Sequence, residues 1–178
     1  MDRARQLLGD MLIYCFAVVL ATGAFLAFFY VPSGREVVYD GLYTPLHGVM
    51  MSEAYASTLT IGFEVRGGLL IRQLHHSSSL LLLAGTAIWG LLGRFGRAFA
   101  ALGACLLAVL GGYGTADDTL YGLPVAIVVW YGLHLAAALA VIVMLVQAAR
   151  HESALRPRGP GFVLLGLVLS FLALWPFW

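Results

Sequence analysis

The chain has 178 residues, 61% of them hydrophobic and only 11% charged, with no lysine and a mean hydropathy of +0.91. Soluble folds carry about a quarter charged residues, so this composition excludes an ordinary water-soluble domain and points to a bilayer. A net charge of +1 offers no nucleic-acid footprint, and the length suffices for about five spans of roughly 20 residues but not for a separate catalytic domain as well.

Five apolar stretches follow one another, at 11–30, 69–92, 98–113, 124–149 and 161–178. They predict an all-α integral membrane bundle of about five transmembrane helices, forming a single domain over 1–178. The first stretch lacks a small-residue cleavage site and is expected to be retained. It stops at Val31-Pro32-Ser33-Gly34. The segment 31–68 is then a long, aromatic-containing connection. The second and third stretches are separated by Gly93-Arg94-Phe95-Gly96-Arg97, and the fourth and fifth by Arg156-Pro157-Arg158-Gly159-Pro160.

Arginine placement sets an expected orientation. Arg3, Arg5, Arg94, Arg97, Arg150, Arg156 and Arg158 fall on one side of a five-span chain, and Arg35, Arg66 and Arg72 on the other. The positive-inside rule puts the N-terminus in the cytoplasm and the C-terminus outside. Segment 31–68 and the connection carrying Asp117 and Asp118 are then external, and Trp175 and Trp178 read as interfacial anchors.

In this topology His75 and His134 lie at comparable depth in the outer halves of the second and fourth stretches. Two neutral imidazoles facing each other in a membrane bundle can grip a haem iron. Two histidines hydrogen-bonded to neighbouring helices give the same pattern, and spacing alone leaves both readings open. His76 points about 100° away from His75 on a helix, so only one of them can face a given metal; the other would bond a neighbour, with Ser78 and Ser79 as candidates. His47 and His151 read as surface residues. Cys15 and Cys105 sit in different spans without a CxxCH haem-attachment motif and read as small core residues.

The run YDGLYTPLHGVMMSEAYASTLTIGFEVRGGLLIRQLHH, residues 39–76, resembles the stretch leading into the second helix of cytochrome b of respiratory cytochrome bc complexes, in particular the actinobacterial form. Ala21-Thr22-Gly23 followed by Phe28-Phe29-Tyr30 and Pro32 is similar to the family's first helix. Gly112-Tyr113 with Asp117-Asp118 resembles the end of its third. The resemblance runs from about 12 to 134 and fades beyond His134. It implies a haem-binding four-helix core over about 11–149 with an additional helix at 161–178, in a bacterial cell membrane.

By position, the resemblance makes His75 and His134 the axial ligands of one haem b near the outer surface. It makes Arg72 a candidate partner for a haem propionate, and Gly23 and Gly112 the small residues that let helices approach the porphyrin. The family's second haem needs a histidine fourteen positions after His75, where this chain has Trp89, and one near Ala148 or Ala149, where Gln147 is the only polar neighbour. Gly9 matches a glycine on that inner side, but Ala98 stands where its partner would be. Trp89 then reads as a filler of the second site, or as a tryptophan facing lipid.

The family's Pro-Glu-Trp-Tyr motif and long third-to-fourth connection are absent from this sequence. The expectation is therefore a reduced, single-haem b-type cytochrome serving a larger membrane redox complex rather than an enzyme alone. Its expected partners are membrane lipid, the quinone pool, and an extracytoplasmic dehydrogenase, hydrogenase, iron-sulfur protein or cytochrome c, with menaquinone as a second candidate cofactor and segment 31–68 as the docking surface. Two alternatives stand beside it: a haem-free structural or assembly subunit, and a quinone-reactive subunit using Asp117, Asp118 or Tyr113.

Overall fold

In a computed structural model, residues 2–93, 96–116 and 126–175 are described, and among them six α-helices carry the chain. These are α1 (Asp2–Phe29), α2 (Glu53–Phe63), α3 (Gly68–Leu91), α4 (Gly96–Ala116), α5 (Ile127–Leu155) and α6 (Pro160–Leu174). The five apolar stretches correspond to α1, α3, α4, α5 and α6, so the protein is an all-α membrane helical bundle. Helices α1 and α5, and the 98–116 part of α4, are long and apolar enough to cross a membrane. Helix α3 is 24 residues long, about 36 Å at 1.5 Å per residue, but it carries Arg72, Gln73, His75, His76 and three serines in succession.

Helix α1 begins at Asp2 rather than at the first apolar residue, and α5 runs past 149 to Leu155. Long-range polar contacts hold both extensions. The Gln6 amide donates to the Arg156 carbonyl at 2.9 Å, Arg158 makes a bidentate pair with Asp10 at 2.6 and 2.7 Å, Arg5 pairs with Glu152 at 3.0 Å, and Arg156 pairs with Asp2. Gln6 and Asp10 are both buried, so these partners satisfy groups that would otherwise be costly to bury.

Segment 31–68 is more than a loop. Strands β1 (Glu36–Val38) and β2 (Met50–Ser52) form an antiparallel hairpin in which Val37 faces Met51. Ser52 caps α2 by accepting the Tyr55 amide at 3.0 Å. A small core of Tyr39, Met51 and Leu59 lies beneath the hairpin, and Tyr43 stacks on Phe63 with ring centroids 4.5 Å apart. Arg35 bonds Glu53 across the hairpin base at 2.6 Å and holds its carboxyl below the usual carboxylate range. Glycine is required at the turn into α3: Gly67 adopts φ +76°, and a side chain at Gly68 would collide with the Ile61 carbonyl.

Helix α1 packs against α3 and α5, and α4 packs against the same two. Helices α3 and α5 therefore occupy opposite corners of a four-helix bundle, with α6 laid against the outside of α1. The main core fills the half of the bundle away from the hairpin, with Leu12, Phe16, Leu82, Trp89, Cys105, Val141, Leu145 and Ala148 in one cluster. Arg3, Arg5, Arg150, Arg156 and Arg158 gather at that far end, whereas Arg35, Arg66 and Arg72 belong to the hairpin end. Arg94, Asp117, Asp118, Pro124 and Trp178 lie outside the described residues.

Candidate functional site

His75 lies about two turns into α3 and His134 about two turns into α5, so the diagonal arrangement of these helices brings them together near the hairpin end. Their ring centroids are 6.2 Å apart and their planes are inclined at 65°.

Backbone carbonyls fix the tautomer of each ring. His75 Nδ1 lies 3.1 Å from the Val19 carbonyl and 3.0 Å from Thr22 Oγ1; His134 Nδ1 lies 2.7 Å from the Ala108 carbonyl. A carbonyl can only accept, so each Nδ1 carries the hydrogen, and the lone pair of the neutral imidazole resides on Nε2. The Thr22 hydroxyl is itself anchored by donating to the Val18 carbonyl at 2.8 Å. Among the described residues neither Nε2 has a partner. An imidazole whose Nδ1–H is tied to a backbone carbonyl is the usual state of a metal-ligating histidine.

Glycines make the room for this arrangement. A Cβ at Gly23 would lie 2.9 Å from His75 Cε1, and one at Gly112 would lie 3.2 Å from His134 Nδ1. Gly111, which the sequence reading did not single out, is as tight as Gly23, and against backbone: its Cβ would meet the His134 backbone nitrogen at 2.9 Å. Gly23 and Gly112 seat the two rings, and Gly111 lets α4 approach the backbone of α5 at His134. Replacing Gly23 by valine is expected to push His75 out of register at the cost of an overpacked contact, about 1–3 kcal/mol. On the proposal that the histidine pair holds a haem, loss of haem binding with the helical content retained is the expected outcome, read by absorption and circular dichroism on the same sample.

Arg72 is one turn before His75, partly buried, and among the described residues its guanidinium has no ion-pair or hydrogen-bond partner. His76 points elsewhere: its Nε2 pairs with the Tyr113 hydroxyl of α4, the two rings perpendicular at 5.4 Å. Ser78 and Ser79 are not its partners. Ser79 donates to the His75 carbonyl at 2.7 Å, and the Ser78 hydroxyl is buried without a partner among the described residues. His47 and His151 are exposed, and Cys15 and Cys105 are free thiols in the core.

The corresponding level further from the hairpin has a different character. Trp89 is 1% exposed and Ala148 is 7% exposed, both inside the main core. The Arg5 guanidinium lies over the Trp89 ring at 5.1 Å, and a Cβ at Gly9 would touch Trp89 Nε1 at 3.3 Å. Trp89 is thus a core residue and does not face lipid. Neither an indole nor an alanine can ligate iron, and close-packed side chains occupy the space, so these residues do not fit a second haem.

Fold and site together define a helical membrane bundle with one facing, tautomer-locked histidine pair near one end. No protein-family model matches the chain. Individual proteins do: the cytochrome b subunit of the cytochrome bc1 complex of Streptomyces coelicolor is 47% identical over 133 residues, covering 68% of this chain and 24% of that protein. The subunit of the same name from Mycobacterium leprae is 51% identical over 82 residues, 46% of this chain and 15% of the relative. That from Corynebacterium diphtheriae is 41% identical over 128 residues, 65% of this chain and 24% of the relative. The chain is a homologue of actinobacterial cytochrome b, and it spans 24% of the length of the first of these relatives.

Proposed function

We propose that this protein is a single-haem b-type cytochrome, an electron-transfer subunit of a larger membrane redox complex, in which His75 and His134 would hold the haem. The observation that carries the reading is the imidazole pair 6.2 Å apart with both Nδ1 atoms bonded to backbone carbonyls. Two imidazoles at this spacing, each with its Nδ1 hydrogen engaged and its Nε2 lone pair open, could hold one metal between them. Among the described residues no group of three or more His, Cys, Asp or Glu is placed to hold a metal ion. Two ligands suffice only where the other positions are supplied by something else, as a porphyrin does.

Haem, when bound, supplies reversible one-electron transfer. The chain's own residues would do the rest: His75 and His134 hold the iron, Val19, Thr22 and Ala108 orient the rings, and Gly23, Gly111 and Gly112 keep their seats open. Arg72 would pair with a propionate, a charge-assisted bond that offsets the cost of a carboxylate at the membrane edge. The buried Trp89 and Ala148 support a count of one haem. Gathering of five described arginines at the end away from the hairpin supports a cytoplasmic N-terminus, with site and hairpin on the outer side. We read 1–178 as one membrane domain, with the core over about 11–149.

The relatives' name, a subunit of a cytochrome bc1 complex, supports partnership with other complex subunits; quinone, menaquinone being the candidate, is the proposed small-molecule partner, and the hairpin and α2 form the surface for an extracytoplasmic electron partner. The purified protein is expected to show a reduced-minus-oxidised b-type spectrum with one haem per chain. A ratio near zero in the intact complex would replace this reading with that of a haem-free structural subunit. One observation favours a quinone-reactive variant, the bonded His76–Tyr113 pair beside the site; quinol turnover by the isolated chain with a soluble dye separates it from a passive relay.

A further inference from the structure

The two rings of the histidine pair are held unequally. His134 Nδ1 has one acceptor, the Ala108 carbonyl at 2.7 Å, and a main-chain oxygen is present whatever residue stands there. His75 Nδ1 has two at nearly equal range, the Val19 carbonyl at 3.1 Å and Thr22 Oγ1 at 3.0 Å, the arrangement of a three-centre hydrogen bond. The Thr22 hydroxyl has a single hydrogen, and the Val18 and Val19 carbonyls stand 2.8 and 3.0 Å away to receive it. What it offers the His75 Nδ1–H is therefore a lone pair. Thr22 is buried, and a Cβ at the neighbouring Gly23 would lie 2.9 Å from His75 Cε1, so the ring sits tight against this turn of α1. Among the described residues Thr22 is the only side chain bonded to either Nδ1.

An acceptor on the Nδ1 hydrogen shifts electron density through the imidazole toward Nε2 and makes that atom a better donor to a metal. The more positive, oxidised state of the metal gains most from this, so each such bond lowers a reduction potential. In a buried site no water competes for the hydrogen, and the bond acts at close to full strength. Given a haem held by His75 and His134, as proposed above, we propose that Thr22 sets its reduction potential, the hydroxyl lowering it by sharing the Nδ1 hydrogen of His75. Reduction adds one electron to the haem and moves no proton here. The Nδ1 hydrogen stays on His75 in both states, and only the strength of its bond to Thr22 differs between them. Thr22 is thus a positioning residue that acts through His75.

The test is potentiometric titration of the purified full chain, followed in the b-type absorption band, with haem content measured on the same samples. Thr22→Val keeps the shape of the side chain and removes the oxygen. It is expected to shift the reduction equilibrium about threefold to tenfold, the net worth of one hydrogen bond, which raises the midpoint potential by about 30–60 mV at about 59 mV per decade for one electron. Thr22→Ala removes the same oxygen without a methyl in its place and should raise the potential as well. Thr22→Ser keeps the hydroxyl and should return the wild-type value. Thr86→Val is the control: Thr86 donates to the Leu82 carbonyl at 2.7 Å in the same manner but bonds neither histidine, so the potential should hold. A potential unmoved or lowered in Thr22→Val and Thr22→Ala, an equal rise in Thr86→Val, or a Thr22→Ser value matching that of Thr22→Val would overturn the proposal. Loss of haem from both Thr22→Val and Thr22→Ala would overturn it too, since the hydroxyl would then serve binding and not potential. Absence of a b-type spectrum from the wild-type chain removes the haem reading itself, whereas bound haem with an unmoved potential refutes the role of Thr22 alone.

Discussion

Replacing either His75 or His134 by alanine is expected to abolish the b-type reduced-minus-oxidised spectrum of the purified protein while the chain stays inserted and helical. Each variant removes one of the two proposed haem-holding residues and leaves the other imidazole with its Nδ1 still tied to the backbone, Val19 for His75 and Ala108 for His134. One remaining imidazole would not hold the haem as the pair would, so the b-type spectrum should disappear from both variants. His76→Ala is the control. Its imidazole pairs with Tyr113 on α4 and points away from the pair, so the spectrum should persist with little change. Retention of the spectrum in His75→Ala and His134→Ala together would show that iron is held elsewhere. Loss in His76→Ala with retention in His75→Ala would exchange the roles of the two adjacent histidines.

What was legible in the sequence divides along a physical line. Apolar runs long enough for a bilayer announce themselves, so the five stretches and the helices α1, α3, α4, α5 and α6 agree. Segment 31–68 carries no such run, and the hairpin and α2 are held by contacts between residues distant in sequence, Tyr39 with Met51 and Leu59, that no periodicity marks. The start of α1 at Asp2 depends on carboxylate and arginine partners more than 140 positions away, as the Asp10–Arg158 separation of 148 illustrates. At the site, the histidines were visible as residue types. The groups that orient them are main-chain carbonyls of Val19 and Ala108, which every residue possesses and no sequence distinguishes. Gly111 had a usable signal, a second glycine beside Gly112, but which of the two meets the His134 backbone is decided by the approach of α4 to α5. The partner of His76 failed for the same reason: nearby serines were the local choice, and the α3–α4 contact supplied Tyr113 instead.

Trp89→Ala is expected to destabilise the protein more than any other single truncation of the core, by about 3–5 kcal/mol, the range for deleting a buried aromatic ring. Trp89 is the largest of the fully buried side chains and sits among Leu82, Leu145 and Ala148. Helix ends cannot close over the gap easily, because Arg5 and Glu152 are fixed to each other beside it at 3.0 Å and Gly9 already brings α1 against the indole. Thermal unfolding in detergent should register the change as a fall of roughly 10 °C, with Trp89→Phe intermediate. A lipid-facing tryptophan would give a shift near zero, so the size of the effect tests burial itself. The haem count gives the second, independent reading. His75 and His134 lie nearer the hairpin and share no hydrogen bond with Trp89, so the truncated protein should keep one haem per chain and an unaltered spectrum at temperatures below its lowered transition. A second haem appearing in Trp89→Ala would mean that the indole merely excludes a cofactor for which ligands exist elsewhere. Ala148 and the exposed Gln147 offer no imidazole to receive it, so the expected product of the deletion is a weaker core with one haem.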